Sequence, residues 1–201
     1  MSIPAPLQHL IKELSRLPGF GKRNAQRAAL HMLTNPTKIE DIKIALTAVA
    51  EQVKTCSVCG NISMSDPCHV CNDISRETNT ICVVEGVDDL WAMERSGAYK
   101  GMYHILGGVV SAIDGIRPED IRIPQLLDRV QKGGINEVIL ALGASIDGQT
   151  TSHLIARKLA TLGENSSVTI TTLARGIPMG AEVDYMDEGT LHMALKGRVS
   201  F

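Results

Sequence analysis

Cys56-Ser57-Val58-Cys59 and Cys68-His69-Val70-Cys71 stand eight residues apart, and the reading of these two pairs decides how the chain is organised. A Cys-x-x-Cys turn offers both sulfurs to one ion, and a second pair on a short arm closes a tetrahedron. Four thiolates favour Zn²⁺ over hard cations, which prefer oxygen. Between the pairs, Gly60, Asn61, Asp66 and Pro67 are knuckle and turn residues. A disulfide pair, an iron–sulfur centre and a redox Cys-x-x-Cys are the competing readings. Two paired knuckles are far more specific than one, so a structural Zn²⁺ on Cys56, Cys59, Cys68 and Cys71, one per chain, is expected. Such a closed site has no open coordination position, which makes it a clamp and not a catalyst. Zinc contributes roughly 10–16 kcal/mol of apparent folding energy in small isolated sites, so this module is expected to need its metal. His69 is expected to be an exposed knuckle residue.

Working outward, 201 residues can bury a real core, as one large domain or as two or three small modules. Hydrophobic content of 44% with 21% charged residues describes an ordinary soluble protein. Met1 to Leu17 is broken by Pro4 and Pro6 and charged by Lys12, so no signal peptide is expected. No apolar run reaches the roughly 18 residues of a membrane span. Cys82, the fifth cysteine, falls in the apolar run Ile81-Cys82-Val83-Val84 and is expected to be a buried strand residue without chemistry. This cysteine usage fits a reducing cytoplasm.

Charge is unevenly spread. Residues 1–31 hold Lys12, Arg16, Lys22, Arg23 and Arg27 against Glu13 alone, a local +4; with the whole chain at −2, the remainder stands at −6. A basic head on an acidic body points at a polyanion. Aromatic content of 3% argues against stacking platforms and for backbone contact.

The head itself is patterned. Leu7, Leu10, Ile11, Leu14 and Leu17 recur at helical spacing, and a second helix runs through Ala25, Ala28, Ala29, His31 and Met32. Between them lies Leu17-Pro18-Gly19-Phe20-Gly21-Lys22-Arg23, the hairpin of a helix-hairpin-helix. Gly19 and Gly21 would allow φ > 0 and bring backbone N–H groups at a helix N-terminus close to a phosphate oxygen. Lys22, Arg23 and Arg27 would then supply charge without reading bases. A plain helical turn with a solvated basic face, or a dimerisation surface, are the alternatives. Asn35-Pro36-Thr37 stops this helix, with Asn35 or Thr37 available to cap the next, whose apolar face is Ile39, Ile42, Leu46, Val49 and Val53.

After the knuckles the period changes. Strands are expected over 80–85, 103–106, 137–142 and 168–173, and helices over 88–96, 123–132 and 149–162, with a short helix at 191–195. The alternation implies an α/β fold, a Rossmann-like, mostly parallel sheet with helices on both faces. The tail from Arg175 is too small for a core of its own and is expected to pack on the sheet or on another subunit.

This order of hairpin, four-Cys knuckle and α/β domain resembles the RecR family of bacterial recombination mediators. The blocks Tyr99 to Gly108, Asp114-Gly115-Ile116-Arg117-Pro118-Glu119-Asp120, Leu173 to Gly180 and Asp187-Glu188-Gly189-Thr190-Leu191 carry the likeness. It implies a helix-hairpin-helix module at 1–54, a C4 zinc finger at 55–76, a Toprim domain at 79–174 and a packing or oligomerisation tail at 175–201. It further implies a ring-like homo-oligomer, a tetramer, that encircles DNA. Such a ring acts with RecO and RecF to load recombinase on single-stranded DNA at gaps, independently of RecBC.

Toprim domains of topoisomerases and primases are magnesium enzymes, with a glutamate after the first strand and an Asp-x-Asp-x-Glu run after a later one. By that resemblance Glu85 keeps the first acid. The later run reads Gly143-Ala144-Ser145-Ile146-Asp147-Gly148-Gln149, so two aspartates become Gly143 and Ser145 and the glutamate shortens to Asp147. The run commonly found in RecR, Asn-Pro-Thr-Val-Glu-Gly-Glu, is already degenerate, and this chain departs further. Too few carboxylates remain to hold Mg²⁺ tightly. Glu85, Asp88, Asp89 and Asp147 are therefore read either as a weak metal or partner-docking patch at the sheet's carboxyl edge, or as an Asp88 helix cap with solvated neighbours. The resemblance names RecO as that partner.

Other chemistry finds no support: Tyr99, Tyr103 and Tyr185 offer no evident nucleophile, His104 and His153 stand alone, and Ser145 lacks a nucleophile elbow. No Walker A loop is present. The expectation is a non-enzymatic DNA-binding scaffold in the bacterial cytoplasm, associated with the nucleoid. A magnesium-dependent Toprim enzyme acting on phosphodiesters, or a pure assembly adaptor, are the alternatives.

Overall fold

Pro4 and the apolar stripe behind it start helix α1 (Ala5–Leu14), and Lys22–Thr34 and Pro36–Gln52 form α2 and α3. The computed structural model describes residues 3–162, 168–174 and 176–198; Arg175 lies outside them. The chain divides into two units, residues 1–53 and 54–201. In the first, the described residues bury only Ala25 and Ala29. The predicted apolar face of α3 exists as a stripe but is exposed, with Leu46 66% and Val49 57% accessible. Asn35 sits at the N-cap of α3 but provides no side-chain cap; its amide donates to the His31 carbonyl instead (3.1 Å).

The second unit opens with the ribbon β1 (Lys54–Thr55) and β2 (Ile62–Ser63), paired antiparallel, then the short helix α4 (His69–Asn72). Beyond it run β3 (Glu77–Val84), α5 (Val87–Ser96), β4 (Gly101–Ile105), α6 (Ile123–Gln131), β5 (Glu137–Ala141), α7 (Ile146–Ala160) and β6 (Thr169–Thr172). The four long-sheet strands lie in the order β4-β3-β5-β6, and every pairing is parallel. Strand β3 is central, with Cys82 between Tyr103 and Ile139. Ile81 to Val84 are buried without alternation, as a strand covered on both faces requires.

Two side-chain layers cover that sheet. Ile81, Val83, Met102, Leu106, Val138 and Leu140 pack with α6 and α7 through Ile123, Leu126, Val130, Ile155 and Leu159. Cys82, Val84, Tyr103 and Ile105 face the other way, onto Leu90 of α5 and onto Cys56, Cys59, Cys68 and Val70 of the ribbon. The knuckle is thus no free-standing bead but half the cover of one sheet face.

Several boundaries move for local reasons. Helix α7 begins at Ile146, not 149, because Ser145 caps it, its hydroxyl accepting the Gly148 N–H (3.1 Å). Gly86, not Asp88, is the N-cap of α5, and its N–H donates to Asp89 Oδ2 (2.9 Å). The tail helix α8 (Glu188–Lys196) starts earlier than expected on an Asp187 cap and buries no residue.

His104 is fully buried on β4. Its Nε2 lies 2.8 Å from the Arg122 carbonyl, which can only accept, so Nε2 carries the proton. Nδ1 has no partner. Burial, with smaller contributions from the Arg129 and Arg122 charges, outweighs that hydrogen bond and lowers the imidazole pKa to about 4. The unfolded chain therefore binds a proton below about 6.5 that the folded chain refuses, and stability is lost as pH falls toward 4, by on the order of 3 kcal/mol. Denaturant unfolding at pH 7 and pH 4.5 should show a smaller acid loss for His104→Gln than for the wild type. The difference between the two proteins cancels the proton uptake of the cysteines.

Candidate metal centre and nucleic-acid interface

The four ribbon sulfurs lie within 4.8 Å of one another. Cys59 and Cys68 Sγ are 3.6 Å apart and those of Cys56 and Cys71 3.9 Å. A tetrahedron of Zn–S bonds about 2.3 Å long has edges of about 3.8 Å, so these spacings are those of a shared ion. No disulfide joins any of the five cysteines. The first knuckle is a tight turn closed by the Gly60 N–H on the Cys56 carbonyl (2.9 Å). The N–H groups of Asn61 and Cys68 point at Cys59 and Cys56 Sγ, each at 3.4 Å, and favour thiolate. Contact with Cys71 first, against burial, lowers Cys59 to about 5. Burial raises Cys68, and the Cys59 contact, burial and neighbouring thiolate charge raise Cys71. Three buried sulfurs and a half-buried fourth cannot all ionise without a cation between them, and one Zn²⁺ supplies it. His69 is exposed, and burial raises Cys82 to about 12, as expected of an inert thiol.

In the first unit, Leu17-Pro18-Gly19-Phe20 is a turn closed by the Phe20 N–H on the Leu17 carbonyl (3.0 Å). Gly19 has φ +72°, the left-handed value that a type II turn demands after proline. Gly21 does not: at φ −61°, ψ 159° it is the extended N-cap of α2, with no side-chain cap over the first N–H groups. Those groups stay open. Lys22 and Arg23, with Lys12 of α1, line a groove of about 610 Å³ at this end. Arg27 follows Arg23 one turn on, and among the described residues none of Lys22, Arg23 and Arg27 enters a salt bridge.

At the carboxyl edge of the sheet, Glu85 follows β3, and a Cβ on Gly143 would lie 3.9 Å from Glu85 Oε2. Burial first, then the Asp89 and Asp88 charges, raise the Glu85 pKa. These three acids line a cleft of about 660 Å³ whose far wall is Thr55, Gly60 and Ile62 of the ribbon together with Arg122. Asp147 sits apart on the first turn of α7 and does not line it. Among the described residues, only the four cysteines bring ligand atoms close enough to form a metal group of three or more.

Four family models match the chain: the RecR helix-hairpin-helix over residues 7–49, the RecR four-cysteine zinc finger domain over 53–73, the Toprim domain over 79–174 and the RecR C-terminal region over 176–199. The chain belongs to the RecR family. It is 49% identical to Recombination protein RecR of Cereibacter sphaeroides over 98% of both chains. It is 47% identical to that of Methylorubrum populi over 97% of this chain and 96% of the relative, and 48% identical to that of a Caulobacter species over 96% and 94%. RecR membership makes the ribbon a four-cysteine zinc finger and the sheet domain a Toprim domain.

Among the residues that hold this RecR-type finger in place, Arg122 carries no local signal in the sequence, and Gly60 and Asp66 signal only a turn. Arg122 Nη2 donates to the Ser57 carbonyl (3.2 Å), tying the first knuckle to the start of α6. Asp66, read as a turn residue, accepts from both the N–H and hydroxyl of Ser57 (2.8 and 2.9 Å). Gly60, at φ +83°, lets Arg122 in: a Cβ there would stand 2.9 Å from Arg122 Nε and 3.0 Å from the Ile105 carbonyl. Metal analysis should find one zinc per chain. Cys68→Ser should abolish it and lower stability by several kcal/mol, since ligand loss forfeits most of the binding free energy.

Proposed function

We propose that this RecR-family chain is a non-enzymatic DNA-binding recombination mediator. It acts in the bacterial cytoplasm at the nucleoid, alongside RecO and RecF, to load recombinase on single-stranded DNA at gaps without RecBC. The observation that carries the reading is the uncapped N-terminus of α2 beside Lys22 and Arg23. Open N–H groups and the helix dipole receive a phosphate oxygen, and Lys22, Arg23 and Arg27 neutralise its neighbours without reading bases.

A single head of this size binds weakly, and a ring-like tetramer would supply avidity. The exposed stripe of Ile42, Leu46 and Val49 supports assembly, because a unit whose described residues bury only two alanines gains little from its own core. The Toprim edge supports docking: Gly143 and Ser145 bring no carboxylate to Glu85, whose pKa is raised by burial first and then by the Asp89 and Asp88 charges. A basic segment of a protein partner, RecO by family likeness, would relieve that repulsion, whereas DNA would add to it.

If each head neutralises about three phosphates, the slope of log K against log salt is about −2.7 per head on duplex DNA. Arg23→Glu/Arg27→Glu should weaken binding in a salt titration and reduce the slope by about two per head. An unchanged slope would remove the phosphate role from the hairpin. Nicked circular DNA incubated with the protein and Mg²⁺ or Mn²⁺ should be bound and remain chemically untouched; cleaved, sealed or extended product would establish catalysis instead.

A further inference from the structure

The zinc finger contributes five side chains to the layer over Cys82, Val84, Tyr103 and Ile105: the buried Cys56, Cys59, Cys68 and Val70 and the half-buried Cys71, and all four cysteines are zinc ligands. Only Val70 is a plain hydrophobe. The ribbon therefore has almost no apolar surface with which to hold the sheet once its sulfurs are no longer gathered on an ion. Its direct attachment to the strands runs through the same knuckle: the Ile105 N–H donates to the Cys59 carbonyl (2.7 Å), and Arg122 reaches the Ser57 carbonyl. The opposite face contains no ribbon residue and is sealed by α6 and α7. A separate anchor secures the chain beyond the ribbon, where Arg76 pairs with Glu94 of α5, which accepts the Tyr103 hydroxyl (2.8 Å), and donates to the Gly101 carbonyl (2.9 Å).

We propose that zinc is the fastener of one face of the Toprim sheet: when the ion leaves, the ribbon lifts from β3 and β4 and unmasks Cys82, while the face under α6 and α7 stays closed. The opening is local and ends at the Arg76–Glu94 anchor. It also removes Thr55, Gly60 and Ile62 from the cleft over Glu85, Asp88 and Asp89, so the cleft exists only in the metal-bound chain. Cys82 has no chemistry of its own in this device; its thiol reports the position of the ribbon.

The full-length, zinc-replete protein would be pulse-labelled with N-ethylmaleimide before and after extraction of zinc by a chelator, and Cys82 modification read by mass spectrometry. Hydrogen exchange of α6 and α7 would be followed in the same samples. Cys82 should be refractory at first and react about 100-fold faster after extraction, the size of change that local opening of a buried segment produces. Exchange in α6 and α7 should stay slow, and zinc added before the pulse should restore protection. Cys82 remaining unlabelled while the four ribbon cysteines react would overturn the proposal, because the face would then be closed without metal. Loss of α6 and α7 protection together with Cys82 labelling would overturn it equally, by showing that zinc holds the whole fold and not one face.

Discussion

Charge balance among four sulfurs is the constraint on which the larger unit rests. Cys56, Cys59 and Cys68 are fully buried, and their thiolates raise one another's free energy unless a cation sits among them. In a zinc ribbon standing alone that requirement governs a small loop. In this chain the same sulfurs form the inner surface of a layer over β3 and β4, so electrostatics at the metal and packing on the sheet are one problem. Hydrogen bonds from Asn61 and Cys68 N–H groups favour thiolate, and Arg122 and the Cys59 carbonyl hold the knuckle at the strand end.

The first unit works under the opposite condition. It has almost no interior among its described residues, and its defining features point outward: an open helix N-terminus, basic side chains outside any described salt bridge and the stripe on α3. Ala25 and Ala29, the two buried residues, let α1 and α2 approach closely, and Pro18 and Gly19 turn the chain between them. Its residues 1–31 carry a local +4 against −6 on the remaining chain, a charge that suits a polyanion.

The usual placement of a site at the carboxyl ends of parallel strands is retained, with Glu85 and Gly143 side by side, but the carboxylates that would gather a metal are missing. Asp89 serves the α5 N-terminus and Asp147 lies on α7, outside the cleft. What remains is an acidic lip under the zinc finger with Arg122 across from it.

Much of this was legible in one dimension because it depends on short-range chemistry. Paired Cys-x-x-Cys spacing determines a tetrahedral donor set, Pro18-Gly19-Phe20-Gly21 a hairpin between two helices, and β-branched runs alternating with amphipathic segments a parallel sheet. Caps were less legible, since Ser145 and Asp187 cap helices whose apolar periodicity starts several residues later. The packing of the ribbon was not legible at all: Cys59 meets Ile105, Ser57 meets Arg122 and Arg76 meets Glu94 across 18 to 65 residues of chain. The sequence by itself thus determined the modules, the metal and the basic hairpin. Only the tertiary structure decided that the zinc finger is one wall of the Toprim domain and that the acids fail to converge, because both are set by distances between segments that no local pattern records.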